Sequence, residues 1–168
     1  MNTKQQFDST DLRKALGTFG TGVTVVTTLS RDKENIGVTA NSFSSVSLDP
    51  AIVLWSLKKH SPSLQAFDDS GRFAVNVLTL EQMALSKRFA SPIPNKFNTL
   101  DITQGLEGLP ILKDCAAVFE CKTIERLNFG DHILFLGEVQ AYQHSHHQTL
   151  MCCRGKYVQG LELDTLSN

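Results

Sequence analysis

The stretch that decides the fold is "GVTANSFSSVSLDPAIVLWSL", Gly37 to Leu57. It opens on the end of one apolar segment. It closes on "AIVLWSL", Ala51 to Leu57, whose continuous apolarity predicts a strand buried on both faces. Between the two stand Thr39, Asn41, Ser42, Ser44, Ser45 and Ser47. A hairpin turn needs only about two to five residues, so this polar run is longer than a turn requires. Thr39 to Ser42 are expected to hold something with their hydroxyls and amide, and Ser44 to Asp49 only to lead the chain to its buried strand.

Working outward, "VTVVTTLS" (Val23 to Ser30) is rich in β-branched residues and predicts a strand. "RDKEN" is a polar turn and "IGVTA" the returning strand, with Gly37 marking a bulge or a close backbone approach. "STDLRKALGTFGTG" predicts a short helix capped by Ser9 or Thr10 and stopped by Gly17, Gly20 and Gly22. "SPSLQAFDDSG" predicts another, with Ser61 as cap, Pro62 at the first position and Gly71 at the end. "RFAVNVL" alternates as a strand does. Thr79 followed by Gln82 has the spacing of a capping box and starts a third helix, "TLEQMALSKRFAS". A loop-rich segment follows, and then two long strands, "CAAVFECKTIERL" and "DHILFLGEVQAY", joined at "NFG". "TLMCCRGKYVQG" closes the chain with one or two more strands. Six or seven strands joined by hairpin-length connections predict a mainly β, antiparallel sheet closed as a barrel, with a few helices outside it.

Length and charge narrow the function classes. The 168 residues fit a single domain spanning 1–168, with 41% apolar and 20% charged residues and a formal net charge of -1. That balance argues against a nucleic-acid partner. Apolar runs reach about five residues, whereas a membrane helix needs about 20. The N-terminal segment has no apolar signal-like core, so a cytoplasmic location is expected. Cys115, Cys121, Cys152 and Cys153 match no common zinc spacing and read as reduced, mostly buried small residues. "HSHH", His144 to His147, reads as a solvated loop rather than a metal site.

The sequence has no G-x-G-x-x-G, no P-loop and no G-x-S-x-G. What it offers instead is a set of binding groups. Thr39, Asn41, Ser42 and Ser44 suit a planar ring with polar edges, or a phosphate. "KKHS", Lys58 to Ser61, places two cations and a hydroxyl before a helix, where an anion is favoured. Ser86, Lys87, Arg88 and Phe89 add further cations and an aromatic ring. His132 opens a strand directly after the Gly130–Asp131 turn, which would aim an imidazole into a site. Together these are the parts of a site for a phosphorylated ring ligand.

Those residues fall in segments that resemble the short-chain flavin reductases, the reductase components of two-component flavin monooxygenases. The matching segments are "GTGVTVVTT", "GVTANSFSSVSLDPAIVLWSL", "FAVNVL" with "EQMALSKRFA", "GDHILFLGEV" and "RGKY". They occur in the family's order from Leu12 to Tyr157. The resemblance implies a split β-barrel that binds FMN or FAD, usually as a homodimer, with NADH or NADPH as hydride donor and a flavin-dependent monooxygenase as partner. It also implies roles. Thr39, Ala40, Asn41 and Ser42 would meet the isoalloxazine and ribityl region. Ser56, Leu57, Lys58, Lys59, His60 and Ser61 would lie near the flavin chain and phosphate. Arg88, Phe89 and Ala90 would flank the cofactor. His132 would serve the nicotinamide as the catalytic residue, with Tyr157 close by. Cys152 and Cys153 depart from the aromatic or histidine residues that relatives carry before "RGKY". A non-catalytic FMN-binding electron carrier on the same barrel is the alternative function.

Overall fold

The computed structural model describes residues 7–161. Helix α1 (Ser9–Leu16) comes first, then β1 (Thr21–Gly22), β2 (Thr24–Leu29), β3 (Asn35–Ala40), β4 (Ser44–Leu48) and β5 (Ala51–Lys58). Helix α2 (Leu64–Ser70) and β6 (Arg72–Val77) precede a 3-10 turn, Leu80–Gln82, that runs into α3 (Met83–Ala90). Then come β7 (Ile102–Gln104), a second 3-10 turn (Leu106–Gly108), β8 (Pro110–Leu112), β9 (Ala117–Phe129), β10 (His132–His144), β11 (Leu150–Cys153) and β12 (Lys156–Gln159).

The main sheet has seven strands in the order β3-β2-β6-β9-β10-β5-β4, all antiparallel. Its two edge strands, β3 and β4, are consecutive in the chain, joined only by Asn41, Ser42 and Phe43. Laid flat, the edges would be about 29 Å apart at the usual strand spacing. The link from Ala40 to Ser44 reaches at most about 14 Å. The sheet is therefore rolled, with β3 facing the β5–β4 edge across a gap. A small sheet, β1-β11-β12, and the β7–β8 hairpin complete the antiparallel architecture.

Alternation along β2 and β6 sorts the core into two clusters on opposite sheet faces. Val26 and Val75 point toward Trp55, Phe67, Phe73 and Phe135, while Val25 and Ala74 point toward Phe89, Leu112 and Val118. Trp55, the only tryptophan, stacks on Phe135 at 5.0 Å and meets Phe67 edge-on at 4.8 Å. Asn76, on the same face of β6 as Ala74, is fully buried. Its amide donates to Val25 O (3.0 Å) and to Thr27 Oγ1 (3.1 Å), and its carbonyl accepts from Leu112 N–H (2.9 Å), so one side chain ties β2, β6 and β8 together.

The helices form nearly where the sequence predicts. The cap of α1 is Asp8, one residue earlier than expected, because its carboxylate accepts from Thr10 N–H at 2.7 Å. Helix α2 starts later than expected, at Leu64. Ser61 instead closes a turn through Leu64 N–H, and Gly71 ends the helix at φ 64°. The Thr79–Gln82 capping box forms in full. Two strand readings need correction. Ser44–Leu48 is a true edge strand, bonded to β5 with a register shift between Ser45 and Ser47. Its small hydroxyl residues hide the pattern because this strand is almost wholly exposed. And β5 alternates between buried and half-buried residues; the strand buried on both faces is β2. Gly37 does mark a close approach: a Cβ there would lie 2.6 Å from the Phe89 ring.

Replacing Asn76 by Ala strands Leu112 N–H in the core, and is expected to lower the urea unfolding free energy by about 3 kcal/mol. Burial pushes the Cys115 and Cys121 thiols up to about 12, so at pH 8 neither carries appreciable thiolate. A thiol reagent at that pH should label at most Cys152 and Cys153 in the native protein. Full labelling should need denaturant, and rapid native labelling of Cys115 or Cys121 would contradict this packing.

Candidate functional site

The gap left by rolling the sheet is where the candidate residues meet. Beyond Leu54, β4 no longer covers β5, and the outward backbone groups of Ser56 need another partner. Ser42 supplies it. Its Oγ accepts from Ser56 N–H at 2.9 Å and donates to Ser56 O at 3.2 Å. Thr39 is committed in the same way, donating to Ser86 O on α3 at 2.7 Å, and Ala40 O accepts from Thr24 Oγ1 at 2.8 Å. The polar run thus holds the two lips of the gap in place, and two of its hydroxyls are already used in doing so.

The gap is a cavity of about 450 Å³. Val38, Thr39, Ala40, Asn41 and Ser42 form one wall. Ser56, Leu57, Lys58, His60 and Ser61 form the other, and Ala90 and His132 close it. Eleven of these twelve residues are candidates from the sequence; Val38 is the addition, an apolar neighbour with no chemical signal of its own. Among the described residues, the Asn41 amide and the Lys58 ammonium have no side-chain hydrogen-bond partner, so both are free to serve a ligand.

His132 pairs with Lys58 across β10 and β5, which brings the imidazole to the mouth beside the cation. Its Nδ1 lies 2.8 Å from Asp131 Oδ1. An ionised carboxylate only accepts, so Nδ1 carries the proton and Nε2 is left free. The same hydrogen bond holds the Asp131 carboxyl below the usual carboxylate range. Asp131 is a residue that sequence reading passed over as turn, and its adjacency to His132 was the available signal.

Four candidates stand outside this cavity. Lys59 turns away, donating from Nζ to Gly130 O (2.8 Å) and from its N–H to Asp131 O (3.0 Å), so it braces the turn that carries His132. Arg88 donates to Asn98 O at 2.7 Å. Phe89 is fully buried, packed against Phe97 and over Gly37. Tyr157 lines an adjoining cavity of about 240 Å³ that shares Thr39, Ala40 and Asn41 with the first. Its hydroxyl is 2.9 Å from Ser86 Oγ and Lys87 Nζ sits 5.9 Å from its ring centre, an arrangement that no sequence spacing announces. On the far side of Asn41 a larger cavity, about 850 Å³, opens under α1 and is rimmed by Arg13, Arg154, Leu16 and Phe19. His144, His146 and His147 are exposed, and no cluster of metal-ligating side chains occurs among the described residues. Within the same residues no helix is long and apolar enough to cross a membrane.

Residues 16–161 match the model of the flavin reductase like domain. A Rhizobium meliloti protein named "Probable flavin reductase" is 43% identical over 155 residues, which cover 92% of this chain and 50% of that protein. The chain thus spans about half the length of that relative. The reductase subunit of a flavin-dependent monooxygenase from Mycobacterium tuberculosis is 40% identical, over 81% of this chain and 72% of its own. The NADH:FAD oxidoreductase of Streptomyces globisporus, solved in complex with NAD and FAD fragments, superposes with a TM-score of 0.86. It is 34% identical and is matched over 96% of this chain and 99% of its own. The fold, the placement of the matched segments around one cavity, and these likenesses agree: the chain belongs to the flavin reductase like domain family.

Proposed function

We propose that the chain is an NAD(P)H-dependent flavin reductase that supplies reduced FMN or FAD to a flavin-dependent monooxygenase. One observation carries this reading: eleven residues drawn from three separate sequence blocks and His132 from a fourth face a single cavity. The donor set fits a flavin. Asn41 and Lys58 offer unspent donors, and a phosphorylated ring with polar edges needs both an amide partner and a fixed positive charge. A bound flavin supplies the hydride acceptor, with the reduced nicotinamide as the source of the two electrons, so the protein's task is stacking geometry and electrostatics.

In this reading Thr39, Ala40, Asn41 and Ser42 border the ring, and Ser56, Leu57, Lys58, His60 and Ser61 the ribityl chain and phosphate. Lys58 is the phosphate cation. Lys59 is a positioning residue, because its ammonium already serves Gly130. His132 presents a free Nε2 to the nicotinamide carboxamide, with Asp131 fixing its tautomer. Ala90 and Tyr157 border the approach; Arg88 and Phe89 act from behind, through Asn98 and Gly37. The exposed apolar side chains of Leu12 and Leu16, on a helix that buries none of its own residues, and of Phe19 just after it, support a homodimer closing over the 850 Å³ cavity.

The test is a matrix of NADH and NADPH oxidation with FMN, FAD and riboflavin, alongside equilibrium flavin binding. Turnover of added flavin supports the reductase. Tight flavin binding without turnover would indicate an electron carrier instead. His132→Ala is expected to lower kcat/KM for the nicotinamide by about 10- to 100-fold while changing the flavin Kd by less than about twofold. Lys58→Ala should weaken flavin binding by about tenfold. Lys59→Met should leave flavin binding near wild type and raise the nicotinamide KM, with Lys59→Arg restoring it.

A further inference from the structure

The Tyr157 cavity, about 240 Å³, adjoins the flavin cavity along a shared wall of Thr39, Ala40 and Asn41. It is smaller than the ~300 Å³ at which ordinary small-molecule sites begin, so it suits a single ring and not a whole nucleotide. Tyr157 and its cross-strand partner Cys152 both line it, as does Ser86 of α3.

Ser86 is unusual for its surroundings. It is only 1% exposed inside α3, where alanine would favour the helix more and bury no polar group. A serine within a helix commonly returns its hydroxyl to a carbonyl one turn back. Here Oγ instead meets the Tyr157 hydroxyl at 2.9 Å, 71 residues along the chain. The carbonyl of the same residue accepts from Thr39 Oγ1 at 2.7 Å. Ser86 therefore holds the flavin wall with its backbone and the Tyr157 ring with its side chain. Tyr157 has little else to hold it. β12 is an edge strand of the small sheet, its four residues are exposed, and its strand partner is β11 alone. Among the described residues, the Ser86 contact is the one side-chain hydrogen bond from β12 to the elements around the flavin cavity. Lys87, next along α3, adds a cation 5.9 Å from the ring centre.

We propose that Ser86 is a positioning residue for hydride transfer: its hydroxyl fixes the Tyr157 ring as the wall against which the nicotinamide ring is held. The proposal rests on the flavin reductase reading above. Ring placement is the protein's share of that reaction. Thr39 to Ser42 border one ring, and Tyr157 closes the adjoining cavity on the other. Because Ser86 binds both Thr39 and Tyr157, it keeps the two walls at one separation. Without the hydroxyl, Tyr157 is released to turn toward solvent on its edge strand, while Thr39 keeps its own bond to the Ser86 carbonyl.

Ser86→Ala, Tyr157→Phe and the double variant form a cycle. For each, hydrogen exchange of residues 156–159 is followed in the flavin-free chain, and flavin binding is measured at equilibrium. Steady-state kinetics are taken with NADH and with reduced nicotinamide mononucleotide. Each single variant should exchange the β12 amides about three- to tenfold faster, and should lower kcat/KM for both donors by a similar factor. The flavin Kd should stay within about twofold. The double variant should do no worse than either single one, because both remove the same hydrogen bond. Tyr157→Phe lies on an exposed strand and carries the test if Ser86→Ala misfolds. Unchanged β12 exchange or unchanged kcat/KM in the single variants would overturn the proposal, as would losses that add in the double variant. So would a flavin Kd that rises together with the donor KM, since Ser86 would then serve the flavin wall. A loss seen with NADH but not with reduced nicotinamide mononucleotide would also overturn it, placing Tyr157 against the donor's other half. If the wild-type chain oxidises neither donor with FMN, FAD or riboflavin, the flavin reading itself fails, a different result from an active chain with silent variants.

Discussion

The hydroxyl of Ser42 on the backbone of Ser56 is the contact on which the site depends. A rolled sheet of seven strands has to do something with the backbone groups left bare where its edges part. Full pairing of β3 with β5 would satisfy them and leave no room. Leaving them bare in a half-buried position would cost about 1–3 kcal/mol for each unsatisfied group. One serine side chain meets both the N–H and the C=O of Ser56, so the barrel stays open at that point without the penalty. Thr39 does the corresponding work on the other lip by donating to Ser86 O. The cavity is the space those two side chains keep open.

From that opening the rest of the arrangement follows by register. β5 carries Trp55 inward to Phe135, and its neighbours Ser56 and Lys58 toward the gap. β10 pairs with β5 so that His132 meets Lys58, and the Asp131 carboxylate then selects the imidazole tautomer. Lys59, one residue past the end of β5, ties the turn before His132 to the same strand. The site is built mostly on strand ends backed by an aromatic core, which suits a reaction whose main demand is the relative placement of two rings.

Much of this was legible in the sequence. Antiparallel architecture followed from β-branched runs joined by short turns, and the Thr79–Gln82 box and the Gly71 stop are chemical signatures that act locally. The polar run from Thr39 to Ser42 was legible as unusual, and the family resemblance attached a flavin to it. What escaped was whatever depends on tertiary register. Ser44–Leu48 is a strand because β5 is there to pair with it, while its own residues are small, polar and exposed. β5 looked doubly buried because Ile52 and Leu54, on the face opposite Trp55, are apolar yet only half-buried. Lys58 and Lys59 are indistinguishable in sequence, yet one is free at the cavity and the other is spent on Gly130. Arg88 and Phe89 sit in a well-matched segment but face Asn98 and Gly37, since a helix turns successive side chains about 100° apart and only Ala90 reaches the cavity.

The most direct test of the account is a crystal structure of the full chain soaked with FMN or FAD. The account predicts isoalloxazine density between the Ala40–Asn41 wall and Ser56, with the flavin phosphate beside Lys58 and Ser61. Flavin density confined to the 850 Å³ cavity under α1, with the gap between β3 and β5 unchanged, would contradict it.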